Sequence, residues 1–394
     1  MPSEVYLIPD MNAWVAQRGG IMGYGSRRVM GVELPLLQIL NLSQFKAVVA
    51  HEFGHYHSGD TKLGPWIYKT RSTIGRTLQN LTQVNRVIRV PFEGYAKMFL
   101  RVTHSISRHQ EFVADQLATG VVGAKALADA LKNITGNAQA FLFYVINTVS
   151  PVLEVGYKPP ILEGSGRFSK SEIVSSEITA IENKAMEQKA PDPYNTHPSL
   201  GERLEVLQGM PPKEIPHEEA LAISLMDELL ELETYLLSEL FRANKEAVQK
   251  LQPIEWDDRP AKVLVPSWRK LVQLNFEVLH GVNPVSLIEI SKDAKTFGMK
   301  FKEQFTSKLS PERLTEFTLD TLAAALGLAL LSKQWSLHAD LGQEIYLSHL
   351  DRKVDPFKVL YQLSSGELSG QEWREECERC GLTDFDFGTM KLSE

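Results

Sequence analysis

The stretch His51-Glu52-Phe53-Gly54-His55 decides how this chain is interpreted. It lies within an apolar run, Leu42 to His57, that has the character of a helix. At about 3.6 residues per turn, positions four apart lie nearly above one another. His51 and His55 therefore project from one face, as two imidazoles that bind a single zinc ion must. Glu52 lies one step round the helix, close enough to take a proton from a water molecule that the metal activates.

Start and stop signals surround this predicted helix. Ser43 is a suitable N-cap residue, and Gly59 is suited to end the helix. A pentad with three fixed positions also arises by chance, so the metal-site interpretation depends on residues further along the chain.

Composition restricts the class of protein. The chain has 394 residues, a hydrophobic fraction of 43%, a charged fraction of 23% and a formal net charge of -7. These values are typical of a globular protein with more than one domain, and they give no global signal for nucleic-acid binding. Two cysteines argue against a disulfide framework and favour a reducing compartment. We find neither a signal peptide nor a run of about 18 apolar residues, and Leu322–Leu331 is predicted to be a buried core helix.

The N-terminal region predicts a small β-sheet. Val5–Ile8 has the pattern of a strand, and the stretch from Asn12 to Val32 contains five glycines. A phosphate-binding loop is rejected because Arg28 stands where a third glycine is needed. We expect instead a twisted edge strand or hairpin, to which an extended peptide substrate can add as a further strand.

The stretch from Lys62 to Arg108 is strongly basic. It contains nine basic residues and one acidic residue, Glu93, for a formal local charge of +8, interleaved with aromatic and aliphatic residues. Three interpretations stay open: a solvated helix face, a segment lying on an anionic membrane surface, or a surface for an acidic partner.

A second helical run, ending near Gly120, carries two carboxylates. Glu111 and Asp115 are four residues apart and share a face. A glutamate from a separate helix commonly completes a two-histidine zinc site, and a neighbouring carboxylate commonly accepts a hydrogen bond from the far nitrogen of a ligand histidine. Taken alone, this pair is equally well explained as a solvated helix face.

Four blocks of sequence carry a resemblance to a known family. In chain order they are Asn12-Ala13; His51-Glu52-Phe53-Gly54-His55 with Ser58-Gly59-Asp60; Ser107-Arg108-x-x-Glu111-Phe112-x-Ala114-Asp115; and Tyr194-x-Thr196-His197-Pro198-Ser199-x-x-x-Arg203. Together, over roughly half of the chain, they resemble the HtpX-like and type I CAAX prenyl protease family of zinc metallopeptidases.

The resemblance implies a gluzincin fold with one zinc ion per chain. By that resemblance His51, His55 and Glu111 are the metal ligands and Glu52 is the general base, with Asp115 supporting a ligand histidine. It also implies that Asn12 and Ala13 contact substrate, and that His197 and Arg203 help to bind substrate or the tetrahedral intermediate. Many relatives carry membrane-spanning helices before the pentad. Two interpretations stay open: a soluble branch, or a chain that lacks an N-terminal anchor.

The sequence therefore predicts an α+β, predominantly α-helical protein of two domains. Residues 1–210 form a zinc metallopeptidase domain with a small edge-strand sheet, and residues 211–394 form an all-α C-terminal domain of unknown role, in which a long helix is predicted over Glu218–Leu251. Helix starts are predicted at Ser310-Pro311 and at the Ser369-x-x-Glu372 capping box. The C-terminal Cys377 and Cys380 are expected to be free thiols.

The predicted function is zinc-dependent hydrolysis of peptide bonds in a peptide or protein substrate. The predicted location is the cytoplasmic side of a membrane, which residues 62–108 would contact. The predicted role is in protein quality control. Two rivals stay open: a catalytically silent metallopeptidase fold that recruits partners through its helical half, and a helical interaction protein in which the pentad is accidental. The sequence leaves the oligomeric state undetermined.

Overall fold

The structure is a computed structural model that describes residues 2–8, 13–18, 27–57, 70, 72–78, 86–188, 197–213, 215–242, 245–301 and 309–390. For residues 13–18, 56–57, 86–88 and 245 it describes the backbone only. The chain forms two compact units. The first contains Met1–Val149 and Pro160–Leu251, and the second contains Ser150–Pro159 and Gln252–Glu394.

The first unit opens with a three-stranded sheet. Its strands are β1 (Glu4–Ile8), β2 (Ala13–Arg18) and β3 (Arg27–Glu33). β3 lies in the centre, parallel to β1 and antiparallel to β2. This arrangement confirms the strand predicted at Val5–Ile8 and the hairpin predicted for the glycine-rich stretch. β2 lies at an edge of the described sheet and runs beside the helix that carries the pentad.

The helices of the first unit follow the sheet. They are α1 (Leu34–Ile39), α2 (Leu42–His57), α3 (Arg86–Val122), α4 (Ala124–Tyr144), α6 (Ile161–Lys170), α7 (Glu172–Glu187), α8 (Leu200–Gln208), α9 (Leu229–Leu240) and α10 (Lys245–Gln249), with a π-helical turn at Val145–Val149 and a 3-10 turn at Ala222–Leu225.

Helix α2 has the predicted bounds but a different cap. The Asn41 Oδ1 accepts a hydrogen bond from the Gln44 backbone N at 2.8 Å, and the Gln44 Oε1 accepts one from the Asn41 N at 3.1 Å. The prediction of Ser43 as the cap is therefore wrong, because Asn41 and Gln44 satisfy each other's backbone donors reciprocally. The Ser43 hydroxyl instead accepts from the Glu218 N at 2.8 Å. Gly59 lies outside the described residues.

Helices α2 and α3 pack at unusually short range. A Cβ built on Gly54 of α2 would lie 2.8 Å from the Ala114 Cα of α3, closer than real Cβ contacts. Small, fully buried residues, Ala47 on α2 and Ala118 on α3, line the same junction. Because these side chains are small, the two backbones approach closely and the faces that carry His51 and Glu111 meet.

Residues beyond the predicted domain boundary at 210/211 pack into the first unit. The Leu42 N donates to the Ala220 O at 2.8 Å and the Ala222 N donates to the Leu40 O at 2.9 Å. The buried Glu233 Oε1 accepts from the Leu162 N at 2.8 Å, at the start of α6. The first compact unit therefore extends to Leu251, beyond the predicted boundary.

The prediction of one long helix over Glu218–Leu251 is wrong. The segment near Leu221 is extended and pairs with Asn41 as an isolated bridge. Helix starts only at Leu229 and is interrupted after Leu240. The apolar periodicity of this segment is typical of a helix. Its first residues instead form backbone hydrogen bonds with the chain at the start of α2, which keeps them extended.

The second unit is built around one buried helix. Its helices are α5 (Ser150–Glu154), α11 (Val265–Leu274), α12 (Leu287–Lys292), α13 (Ala294–Gly298), α14 (Pro311–Ser332), α15 (Pro356–Ser365) and α16 (Gly370–Arg379). Shorter π or 3-10 turns lie at Trp256–Asp258, Pro260–Leu264, Phe276–Leu279 and Phe387–Thr389. Ser310 and Ser369 cap α14 and α16 as predicted. Both cysteines are free.

The second unit also contains strands, so the prediction of an all-α C-terminal region is wrong. β6 (Ser336–His338), β7 (Tyr346–His349) and β8 (Arg352–Val354) form an antiparallel sheet, and β4 (Tyr157–Lys158) pairs with β5 (Gln252–Pro253). Strands of two to four residues carry too little alternation for a sequence pattern to reveal them.

Helix α14 is the apolar helix that the sequence placed in a core. Among the described residues it is the one helix long and apolar enough, by length and composition, to cross a membrane, and 72% of its apolar window is buried. Its residues Leu322, Leu326 and Leu330 are fully buried in the core of the second unit. The prediction of a buried core helix is confirmed.

Candidate metal centre

The two histidines of the pentad meet on one face of α2. The Nε2 atoms of His51 and His55 lie 3.1 Å apart, and their rings are nearly perpendicular, at 85°. His51 is buried, and the His55 side chain is 21% exposed. Two imidazole nitrogens thus point to one position, as the spacing of four residues predicts.

Helix α3 brings a carboxylate to the same position. Glu111 is 5% exposed. Its Oε2 lies 3.5 Å from the His51 Nε2, and its Oε1 lies 3.5 Å from the His55 Nε2. Within the part of the chain that the structure describes, these three residues are the one group of metal-ligating side chains whose ligand atoms converge, all within 4.8 Å of one another.

The donor set fits a zinc ion. With zinc–ligand bonds of about 2.0–2.2 Å, tetrahedral ligand atoms lie about 3.3 Å apart. The two imidazole nitrogens lie 3.1 Å apart, and each lies 3.5 Å from a different oxygen of the Glu111 carboxylate. Two imidazoles and one carboxylate leave a fourth position open, which is typical of catalytic rather than structural zinc sites. The residues present therefore suit a single metal ion with one coordination position left open.

Asp115 supports the ligand His51 from behind. The His51 Nδ1 donates to the Asp115 Oδ1 at 2.9 Å, which directs Nε2 towards the site. Asp115 is 1% exposed. Arg203 of α8 grips the same carboxylate twice, from Nε to Oδ2 at 2.9 Å and from Nη2 to Oδ1 at 2.6 Å. The structure thus places two side chains, Asp115 and Arg203, behind the ligand His51.

The electrostatics of the cluster couple these side chains. Burial lowers the pKa of His51, but hydrogen bonds to Asp115 and Glu111 outweigh it and raise the pKa to about 9. Burial raises the pKa of Glu111, but hydrogen bonds from His197 and His51 hold that pKa well below its usual range. The pKa of Asp115 is lowered too, because hydrogen bonds from His51 and Arg203 overcome its burial. A cation at this site would compete with the proton on His51.

Two of the three residues with predicted catalytic roles, His197 and Arg203, lie within 4 Å of Glu111. The His197 Nδ1 donates to the Glu111 Oε1 at 2.8 Å, and the His197 side chain is 66% exposed. The Arg203 Nη1 lies 3.6 Å from the Glu111 Oε2. Glu52 is half-buried and follows His51 on α2. Burial lowers the pKa of Arg203, but the hydrogen bond to Asp115 and the charges of Asp115, Glu111 and Glu52 raise it. His197 therefore presents an exposed imidazole at the site, whereas the guanidinium of Arg203 is held inside.

The predicted substrate-binding residues are only partly visible. Asn12 lies outside the described residues. Ala13 is the first residue of β2, where it pairs with Val32, and only its backbone is described.

Sequence reasoning missed two residues that fasten this site. Arg108 of α3 donates from Nη2 to the Glu202 Oε1 of α8 at 2.5 Å. The sequence analysis counts Arg108 in the basic stretch and in the block that contains Glu111, but assigns it no role. The Ser199-x-x-Glu202 spacing is a visible capping-box signal, and a basic residue one turn before Glu111 is a second.

Fold and site together define a candidate mononuclear metal centre of the metallopeptidase class: two histidines from one helix, a carboxylate from a second, and a glutamate beside them. A family model described as Peptidase family M48 matches residues 3–211, just over half of the 394 residues. The chain belongs to this family of metallopeptidases, which supports metal-dependent proteolysis. No curated protein and no solved structure gives a significant match.

Proposed function

We propose that this protein is a zinc-dependent endopeptidase of the HtpX-like type, with the gluzincin ligand arrangement. The observation that carries the proposal is the convergence of Glu111 with His51 and His55, because these residues come from two helices and are brought together only by the fold.

The chain's own residues suit the steps of peptide hydrolysis. Zinc, when bound, supplies Lewis-acid polarisation of the substrate carbonyl and makes water more acidic. Glu52, the neighbour of His51 in the sequence, would take a proton from the attacking water and pass it to the leaving amine. The exposed imidazole of His197 would donate to a developing oxyanion. An extended substrate would align along the edge strand β2. Arg203 keeps Asp115, and through it His51, in position.

Glu52→Gln tests the role of the general base. The substitution keeps the size of the side chain and removes its basicity, so we expect zinc bound at one ion per chain and a peptide turnover rate lower by at least about 100-fold. Glu205→Gln, on the exposed side of α8, is the matched control and should turn over peptide at the wild-type rate. Peptide cleavage by Glu52→Gln at the wild-type rate would exclude the mechanism.

The rival interpretation of a silent scaffold makes a different prediction. It requires that purified protein bind zinc without cleaving casein or peptides. Turnover that a chelator abolishes and zinc restores would exclude it, and a zinc content near zero would exclude both interpretations.

We further propose that the enzyme works at the cytoplasmic surface of an anionic membrane, in protein quality control. One face of α3 carries Tyr95, Met98 and Val102, which are 51%, 61% and 55% exposed. The exposed cations Lys97 and Arg101 flank this apolar stripe. Exposed apolar side chains beside cations suit a helix that lies on anionic lipid.

Liposome co-sedimentation tests this surface. We expect binding to vesicles that contain anionic lipid, weaker binding at high salt, and loss of binding in a Lys97→Glu, Arg101→Glu double variant. The matched control reverses Lys170 of α6 and Lys184 of α7, two exposed lysines outside α3. Equal sedimentation with neutral vesicles, or a stronger effect of the control, would overturn this part of the proposal.

A further inference from the structure

Helix α3 and the start of α8 are joined by two ion pairs of opposite polarity. In one, the cation Arg108 on α3 meets the anion Glu202 on α8 at 2.5 Å. In the other, the anion Asp115 on α3 meets the cation Arg203 on α8 at 2.6 Å. The cation lies on α3 in one pair and on α8 in the other, so an exchange of partners would bring like charges together. This arrangement specifies a single register between the two elements.

Glu202 has a second task besides its ion pair. Its Oε2 accepts from the Ser199 N at 2.8 Å, while the Ser199 Oγ accepts from the Glu202 N at 3.2 Å. This capping box fixes the turn at the start of α8. His197 lies two residues before Ser199. The ion pair with Arg108 therefore attaches to α3 the turn from which His197 reaches Glu111.

We propose that Arg108 and Glu202 are positioning residues for the metal centre. The pair holds the first turn of α8 against α3, which sets His197 at 2.8 Å from Glu111 and Arg203 on Asp115. Neither Arg108 nor Glu202 contacts a ligand histidine in the described contacts, so their effect passes through these neighbours. The inference rests on the proposed function for its kinetic consequences, but its zinc-binding and folding consequences are independent of turnover.

The side chains of Arg108 and Glu202 are largely shielded from solvent, so water and salt screen their ion pair only weakly. The Arg108 side chain is 15% exposed and the Glu202 side chain is 16% exposed. Arg108 is also one of the nine basic residues of the stretch from Lys62 to Arg108. Because its guanidinium is directed at Glu202, we assign it to the metal centre and not to the proposed membrane surface.

The first experiment compares Arg108→Ala, Arg108→Lys and Glu202→Gln. Arg108→Ala should weaken the zinc dissociation constant about tenfold, as loss of a supporting side chain behind metal ligands commonly does. It should also lower kcat about tenfold while KM changes less than about twofold, because ground-state contacts with substrate are untouched. Arg108→Lys keeps the charge and should recover most of both losses. Glu202→Gln keeps the cap acceptor and should behave as Arg108→Ala does.

The matched control is Glu372→Gln. Glu372 occupies the same capping-box position at the start of α16, opposite Ser369. Glu372→Gln neutralises a capping-box residue that has no ion pair with α3. It should leave zinc affinity and turnover unchanged.

A double-mutant cycle completes the test. If the residues act as one pair, Arg108→Ala combined with Glu202→Gln should weaken zinc binding no more than either change alone. Additive losses, or wild-type zinc affinity in Arg108→Ala, would overturn the inference. Should Arg108→Ala fail to fold, Arg108→Lys and Glu202→Gln still decide it.

The same cycle on urea unfolding of the metal-free protein should also show coupling. A wild-type protein without peptidase activity would contradict the proposed function and leave these zinc-binding and unfolding results as a separate test.

Discussion

The close contact between Gly54 of α2 and Ala114 of α3 allows the geometry of the metal centre to be tested directly. A methyl group at position 54 would lie 2.8 Å from the Ala114 Cα and 3.0 Å from its carbonyl oxygen, where 3.4–4 Å is an ordinary contact. Both are backbone atoms, so the helices must separate by about 0.6 Å or more. Overpacking costs about 1–3 kcal/mol, and replacing a helical glycine by alanine gains up to about 1 kcal/mol. We expect Gly54→Ala to lower the free energy of unfolding by roughly 0–3 kcal/mol.

The effect on metal binding should be larger than the effect on stability. His51 and His55 move with α2 whereas Glu111 moves with α3, so separation of the helices opens the ligand triangle. A metal site tolerates displacement of its ligands by only about 0.5 Å. We therefore expect the zinc dissociation constant of Gly54→Ala to weaken by about tenfold or more, measured by competition with a chromophoric zinc chelator.

Gly94→Ala is the matched control, because a Cβ there meets nothing within 4 Å. It lies in α3, and should bind zinc as the wild type does while gaining up to about 1 kcal/mol in the free energy of unfolding. Ala114→Gly added to Gly54→Ala removes the side-chain part of the clash, at 3.1 Å, and should recover part of the zinc affinity. Wild-type zinc affinity in Gly54→Ala would refute the view that this helix contact sets the distance of Glu111 from the histidines.

Asp115→Asn keeps the size of the side chain but removes the charge that holds His51 and Arg203, so zinc affinity should fall about 10–100-fold in the same competition assay; an unchanged affinity would contradict the support assigned to Asp115. The metal-free protein should lose stability at both ends of the pH scale. The lowered pKa values of Glu111 and Asp115 contribute stability that is present above their ordinary values of 4.5 and 3.8 and is lost as pH falls. The raised pKa of His51 contributes stability that is present below its ordinary value of 6.5 and is lost as pH rises through about 9. Urea unfolding across this range should show both losses, and saturating zinc should remove the alkaline one; a flat profile would contradict the coupling between these side chains.

The sequence predicted best those site residues whose relative positions follow from the geometry of a single helix. The spacing of His51 and His55 on one helix follows from helical geometry alone, and the bounds of α2 follow from its apolar pattern. The spacing of Glu111 and Asp115 is local in the same sense. The convergence of Glu111 with the two histidines is predicted by the family resemblance. The separation of 56 residues between His55 and Glu111 gives no indication that the two helices meet.

Predictions failed where two local signals competed. Ser43 and Asn41 are both good caps, and only the reciprocal bond with Gln44 decides between them. The segment from Glu218 to Leu251 has helical periodicity, but its first residues pair with the chain beside Asn41. The strands of the second unit span only two to four residues, too few for an alternating pattern to emerge.

The pair of Arg108 and Glu202 shows why the surroundings of the site lay beyond the sequence. Its members are 94 residues apart, and each has an ordinary local explanation: Arg108 as one cation of a basic stretch, Glu202 as the third residue of a capping box. Zinc chemistry requires particular ligand types, so ligands can be sought by their chemistry. No chemical rule requires that a particular arginine hold the helix that carries Arg203. Such a partner is identified only when the fold places the two charges at 2.5 Å, and its contribution must then be measured by substitution rather than inferred from its residue type.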